Sequence, residues 1–306
     1  MNKEDLAVIV AEILGQMGKS AREPAVKASD YKPSDPGPRR QQTHYGDGDF
    51  VPDVTALDLR RLYLVENAAD AEAFKKLKLR TPARLGCGKA GPRYKTLTML
   101  RFRADHAAAQ DAVFSEVDEE FAKKNGLLPV KTRCENKDMY LTRPDLGRCF
   151  DEENGSLIRQ AIGNPPQVQM VIGDGLSSAA IEANAMDCLA AIKDGLKARG
   201  ISVGDRDLFV KYCRVGAGDA VGDLTGCELV CVLVGERPGL VTDKSMSAYL
   251  TYKPHTGVSE SSRTVVSNIH AQGTPAVEAG AYIAELIERI LQKRVSGVGL
   301  HLEEAT

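Results

Sequence analysis

An unbroken apolar run at residues 229–234 constrains the fold of this chain more than any other segment. Three of its six residues are valine, and the run is too short for a helix, so it is typical of a central strand covered on both faces. Glu236 and Arg237 follow within a turn made by two glycines and a proline. Because ligands bind at the carboxyl ends of strands in open α/β sheets, Glu236 is a candidate site residue; a surface ion pair would give the same pattern.

The C-terminal half repeats this pattern of strand, loop and helix. Further strands are predicted at residues 168–172, 207–212, 247–252 and 264–267. Helices are predicted from Ser177 and Ser178 to about residue 199, and over residues 275–295. This alternation predicts an α/β fold with a doubly wound, mostly parallel, Rossmann-like sheet. Three glycine-containing loops follow strands and carry Asp174, Arg214 and Glu236, which predicts a ligand-binding rim at one edge of the sheet.

The N-terminal half has a different organisation. Apolar residues between Leu6 and Met17 share one helical stripe, which predicts an amphipathic helix within residues 1–18. Residues 19–52 are rich in proline and polar residues and predict a disordered linker. Residues 53–163 are mainly of helical composition, and a second domain is predicted over residues 164–306. A short amphipathic helix on a flexible tether is typical of a docking device.

Composition and charge exclude several functions. The formal net charge of -2 does not favour binding to nucleic acid, and no apolar run is long enough for a membrane span. Seven scattered cysteines without a C-x-x-C pair, and isolated histidines, predict neither a disulfide framework nor a metal site. We therefore expect a protein without a secretion signal, working in a reducing cytosol.

A glycine pattern at residues 86–91 has the form of a dinucleotide-binding fingerprint. The fingerprint needs a strand before it and a helix after it, but only residues 83–85 precede Gly86, which is no convincing strand, and a proline follows Gly91. A loop that needs close backbone approach to another group, a partner chain among the candidates, is the better interpretation. A nucleotide-dependent oxidoreductase remains an alternative function at this point.

The predicted rim shows no evident acid–base pair, and a nucleophile with its base could be recognised only by spatial proximity. No G-x-S-x-G elbow surrounds Ser177, and no catalytic residue is predicted. The rim offers backbone groups at glycines, the Glu236 carboxylate and the arginines Arg214 and Arg237. This set of groups suits a large polar ligand with many amide or phosphate groups.

Seven motifs lie in order along the chain, at residues 88–93, 100–106, 141–148, 172–177, 211–215, 233–240 and 267–275. The last three read K-Y-C-R-V, L-V-G-E-R-P-G-L and S-N-I-H-x-x-G-T-P. Together, the seven motifs resemble the small subunit of ethanolamine ammonia-lyase. The resemblance covers roughly residues 53–298 and implies an adenosylcobalamin-dependent enzyme that converts ethanolamine to acetaldehyde and ammonia. It also implies a large catalytic subunit as partner, with this chain helping to bind cobalamin at the interface.

The resemblance implies three cobalamin-binding residues, Val215, Glu236 and Val265, within a Rossmann-like cobalamin-binding domain at residues 164–306. Glu236 would accept a hydrogen bond from a corrin amide, which contributes about 1.5–3 kcal/mol. Better-known members of the family have cysteine at the position of Val265. The valine side chain cannot form a polar contact there, although its backbone could.

The resemblance also implies a role for the N-terminal helix. The family's enzyme is packaged in a bacterial microcompartment in the cytoplasm, and residues 1–18 resemble its targeting helix, which would contact the shell or other cargo. A non-catalytic interaction protein of the compartment is a second alternative, because the same helix would serve it without a cofactor.

Overall fold

A computed structural model describes residues 53–302, and the predictions for the helix at residues 1–18 and the linker at residues 19–52 lie outside this range. In chain order, the helices of the described part are α1 (Ala71–Lys78), α2 (Thr96–Phe114), α3 (Glu119–Lys124), α4 (Lys137–Thr142), α5 (Glu152–Ile162), α6 (Ser178–Ala198), α7 (Ala217–Thr225), α8 (Ala276–Lys293) and α9 (Val298–Leu302). The strands are β1 (Lys89–Ala90), β2 (Arg93–Tyr94), β3 (Leu128–Lys131), β4 (Val168–Asp174), β5 (Leu208–Lys211), β6 (Leu229–Gly235), β7 (Met246–Tyr252) and β8 (Arg263–Ile269).

A six-stranded sheet in the order β3-β5-β4-β6-β7-β8 organises the structure. The first four strands in this order are parallel, whereas β7 is antiparallel to β6 and β8 is antiparallel to β7. The predicted α/β class is confirmed, and the sheet is mixed. The reason lies in residues 236–245, which join β6 to β7 without a helix, so that β7 has to run back beside β6.

The central strands are buried on both faces, as the apolar run predicted. Every residue of β4 and of β6 is buried, because helices cover the two faces of the sheet. Helices α6 and α8 enclose a first core that includes Met170 and Ile283. Helices α5 and α7 pack on the other face and enclose a second core that includes Ile158 and Val232.

Helix α6 begins as its sequence predicted. Ser177 is the N-cap, and its hydroxyl oxygen accepts a hydrogen bond of 3.1 Å from the backbone N–H of Ala180. This bond satisfies one of the N–H groups that the first turn of a helix leaves without an intrahelical partner. The cap therefore fixes where the loop after β4 ends.

Strand β3 was not predicted, because residues 53–163 were interpreted as mainly helical. Its sequence is Leu-Pro-Val-Lys, and proline is rare in strands because it has no N–H group. At the sheet edge this group is not needed, and the outward N–H of Lys131 donates to the Asn154 side chain at 2.9 Å. The described residues fall in one compact unit, and the boundary between residues 163 and 164 stays a prediction.

Within residues 53–302, none of the helices combines the length and the apolar character that a membrane crossing requires.

Candidate cofactor-binding face

Protein atoms fill the middle of the edge where the ligand-binding rim was predicted. A Cβ atom added to Gly175 would lie 2.6 Å from the Cγ2 atom of Val234, and one added to Gly235 would collide with the backbone carbonyl of Ser177. These glycines allow the loop after β4 to pack against the C-terminal end of β6. At these two positions the close contact that glycine permits is made with the protein itself, and the ligand-binding rim stays a prediction.

Asp174, at the end of β4, is buried beneath the same edge of the sheet. Its carboxylate is fully buried and accepts hydrogen bonds from the Ser178 hydroxyl at 2.8 Å and from the Val117 N–H at 3.1 Å. Burial raises the pKa of Asp174, and the nearby ammonium of Lys137 opposes this shift. Lys137 donates 3.0 Å hydrogen bonds to the carbonyls of Ser115 and Gly175. The contacts of Asp174 are those of a structural group that holds the loop after β4.

The guanidinium of Arg214 also contacts other groups of the protein. Its guanidinium lies 4.3 Å from the centre of the Tyr140 ring and donates a 2.8 Å hydrogen bond to the Tyr140 carbonyl. Cation–π stacking and a hydrogen bond to the same residue hold the side chain in place. The neighbouring Val215 packs partly buried against the second core, and its carbonyl accepts from Gly218 in the first turn of α7.

The Glu236 side chain accepts hydrogen bonds from residues of β7 and β8. One carboxylate oxygen, Oε1, accepts hydrogen bonds from the Ser247 hydroxyl and, at 3.3 Å, from the Asn268 N–H. Its own N–H donates to the Ser245 carbonyl at 2.9 Å. The other oxygen, Oε2, has no hydrogen-bond partner among residues 53–302. The carboxylate is therefore oriented and still able to accept hydrogen bonds from a ligand.

The register of the last three strands places Val265 on the same face of the sheet as Glu236. Tyr249 pairs with Val232 on one side and with Val265 on the other, while Ser247 pairs with Val234. Paired residues project to the same face, and residues two apart in a strand share a face. Helix α7 packs on β6, and Val265 in β8 is 46% exposed. We call this surface, formed by Glu236, Tyr249 and Val265 with the buried Ser247 beneath Glu236 in the same register, the open face.

A buried ion pair joins the Val215 loop to the open face. Arg263, at the start of β8, donates to both carboxylate oxygens of Asp219 in α7, at 2.7 and 2.8 Å. The side chains of the two residues are 3% and 8% exposed. Because Asp219 follows Val215 by four residues and Arg263 precedes Val265 by two, this pair fixes the loop relative to β8. The ion pair thus links the elements that carry Val215 and Val265, and the binding role of the three predicted residues stays a prediction.

Sequence reasoning missed Ser247, Tyr249, Asp219 and Arg263. The alternation of residues 247–252 predicted the strand β7, and the same alternation places Ser247 and Tyr249 on one face and Ala248 and Leu250 in the first core. Which face stays uncovered depends on the neighbouring helices. That information is not local to β7.

The glycine pattern at residues 86–91 does not have the surroundings of a nucleotide-binding loop. A two-residue strand precedes Gly91, the partner strand follows it, and the next helix begins only at Thr96. A Cβ atom on Gly88 would lie 2.5 Å from the carbonyl oxygen of Leu64. The predicted close backbone approach is confirmed, and its partner is the chain itself.

Comparison with known proteins places the chain in a family. A family model described as ethanolamine ammonia-lyase light chain (EutC) matches residues 71–301, and all seven motifs lie within this range. The chain belongs to this family, as its resemblance predicted.

Curated relatives are named as the small subunit of the same enzyme, and the chain matches them over their whole length. The ethanolamine ammonia-lyase small subunit of Clostridium perfringens is 54% identical over 304 residues, covering 98% of this chain and 100% of the relative. The small subunits of Clostridioides difficile and Listeria monocytogenes are 53% and 51% identical over 300 residues, covering 98% of this chain and 100% of each relative. The predicted class, a subunit of an ammonia-lyase, is confirmed at the level of the family.

Proposed function

We propose that the chain is the small subunit of an adenosylcobalamin-dependent ethanolamine ammonia-lyase, which converts ethanolamine to acetaldehyde and ammonia. Family membership supports the reaction, and the name of the relatives supports a large subunit as partner. Adenosylcobalamin, when bound, supplies the radical that removes a hydrogen atom from the substrate. The role of this chain is to hold and orient the cofactor at the interface with the large subunit.

The observation that carries the proposal is the free oxygen of Glu236 on the open face. Ser247 and Asn268 orient the carboxylate through Oε1, while Oε2 has no partner among the described residues. A corrin carries amide groups around an apolar ring system, so it needs acceptors for amide N–H groups beside an apolar surface. Val265 and the Tyr249 ring provide that surface beside Glu236. The residues present therefore fit the cofactor, and no acid–base pair is required of this chain.

The arrangement of the first four strands in the sheet supports the finer description of the fold. Strands β3, β5, β4 and β6 are parallel, and α6 and α7 cross on opposite faces of the sheet. We propose that residues 164–306 form a doubly wound, Rossmann-like cobalamin-binding domain, with β7 and β8 as an antiparallel extension. The open face lies on this extension.

Residues 1–18 are proposed to direct the enzyme into a bacterial microcompartment, which is a cytoplasmic location. Their apolar stripe supports a docking role, and a shell protein or other cargo is the proposed partner. Removing residues 1–18 should leave the activity of the complex unchanged and abolish its encapsulation. Loss of activity in the truncated complex would contradict this assignment.

The experiment that tests the function uses the full chain purified with and without the large subunit. With adenosylcobalamin added, we expect a changed cobalamin spectrum and acetaldehyde release only when both subunits are present. If the chain is instead an interaction protein without a cofactor, neither the spectral change nor acetaldehyde release is expected. Activity from this chain alone, or none from the two together, would refute the proposal.

The role of Glu236 is tested with Glu236→Gln. The amide keeps the shape of the side chain but loses the charge, so we expect the affinity of the complex for cobalamin to fall by about tenfold to a hundredfold. Glu285→Gln, on the exposed surface of α8, is the matched control and should bind as the unchanged protein does. Loss of subunit assembly in Glu236→Gln would instead identify an interface residue.

A further inference from the structure

Tyr249 is the one aromatic residue on the open face. It lies in the middle of β7, between Val232 and Val265, its partners in β6 and β8. We infer that Tyr249 is a further cofactor-binding residue, whose ring supports the corrin and whose hydroxyl donates a hydrogen bond to one of its amide carbonyls. This inference rests on the proposed function and concerns the same face.

The register makes contact with Tyr249 difficult for a large ligand to avoid. Directly opposed residues of neighbouring strands have Cβ atoms about 4.5–5.5 Å apart, so Tyr249 stands beside Val265. Ser247, which holds Glu236, lies on the same face about 7 Å further along β7. The tyrosine side chain is longer than that of valine and projects further from the sheet. A flat ligand that contacts both Glu236 and Val265 therefore also reaches the Tyr249 ring.

The chemistry of Tyr249 complements that of Glu236. The residue is half-buried, and its hydroxyl makes no hydrogen bond to any residue between 53 and 302. Burial and the carboxylates of Glu236 and Glu260 raise the pKa of Tyr249 above its ordinary value of 10.0, which Arg263 opposes. The phenol is therefore neutral at physiological pH and can donate a proton in a hydrogen bond.

The two side chains together match one chemical class of ligand. Glu236 accepts hydrogen bonds, Tyr249 donates one, and primary amides present both N–H donors and a carbonyl acceptor. The apolar ring of Tyr249 and the side chain of Val265 suit the flat body that carries these amides. A ligand with carboxamide groups around an apolar planar ring fits this combination better than a phosphate, which would meet the Glu236 charge.

The test compares variants in the complex of both subunits. The dissociation constant for cyanocobalamin is measured by visible absorbance for the unchanged chain, Tyr249→Phe and Tyr249→Ala. We expect the affinity to fall by about threefold to tenfold without the hydroxyl and by about tenfold to a hundredfold without the ring. Tyr282→Ala is the matched control, because this tyrosine is 49% exposed on α8, the helix that covers the first core on the other face of the sheet.

A second measurement reports directly whether the ligand covers Tyr249. Hydroxyl-radical footprinting of the complex, with and without cyanocobalamin, should show protection of Tyr249 by the ligand and none of Tyr282. If Tyr249→Ala does not assemble, Tyr249→Leu replaces it, since leucine keeps apolar bulk in the strand. Unchanged affinity in both the Phe and the Ala or Leu variants, or unchanged footprinting of Tyr249, would overturn the inference. If the unchanged complex binds no cobalamin at all, the proposed function fails instead.

Discussion

The ion pair between Asp219 and Arg263 leads to the strongest stability prediction. Asp219→Asn keeps the size of the side chain but leaves the Arg263 guanidinium, whose side chain is 3% exposed, without its main counter-charge. Removing one partner of a buried pair costs about 3–5 kcal/mol. Arg263 also donates to Glu260 at 2.7 Å and to Thr251 at 3.2 Å, so we expect the lower end, about 3 kcal/mol.

Urea unfolding of the full chain measures this cost. The midpoint should fall while the m-value stays constant, and the melting temperature should fall by about 6–12 °C, at about 2–4 °C per kcal/mol. Glu260→Gln is the control, because the Glu260 side chain is 70% exposed and the loss of an exposed pair costs at most about 1 kcal/mol. The double variant Asp219→Leu/Arg263→Met should recover most of the loss, since no buried charge remains. A cost below about 1 kcal/mol for Asp219→Asn would refute the reasoning.

Two further predictions concern a loop and a helix cap. Gly235→Ala should lower the free energy of unfolding by about 1–3 kcal/mol, because the added Cβ atom collides with the Ser177 backbone. Gly239→Ala is the control, because its added Cβ atom meets no atom within 4 Å. Equal melting temperatures of these two variants would contradict the prediction. Asp151→Ala should cost about 1 kcal/mol at pH 7 through loss of the α5 cap. Hydrogen bonds from Asn154 hold the pKa of Asp151 below 3.8, so this cost should shrink as the pH falls below that value; a pH-independent cost in urea titrations would contradict the assignment.

Local patterns were enough to predict the strands and the two long helices of the C-terminal half, although not the short helix α9. The apolar run predicted β6 to within one residue, and the Ser177 cap and the stripe of apolar residues predicted α6 and α8. These signals are local because the pattern of apolar residues in a strand and the capping residue of a helix can be recognised from a few neighbouring residues. Strand β3 was missed for the same reason. Its proline is tolerated only because the strand lies at the sheet edge, which its own residues do not reveal.

The predicted rim shows where glycine patterns stop being informative. A glycine permits close approach of any group, and at Gly175 and Gly235 the approaching groups belong to Val234 and Ser177. At Gly88 the approaching group is the Leu64 carbonyl. The sequence cannot distinguish these contacts from a ligand, because the partners lie far away along the chain.

The sequence by itself determined the α/β class, the position of Glu236 after a buried strand, and the motifs that place the chain in its family. Only the tertiary structure decided that Ser247 and Asn268 hold Glu236, and that Tyr249 and Val265 share its face. The physical reason is that the register between strands depends on how the whole sheet assembles. Since β7 turns back without a helix, the sheet extends past α7 and leaves this face open.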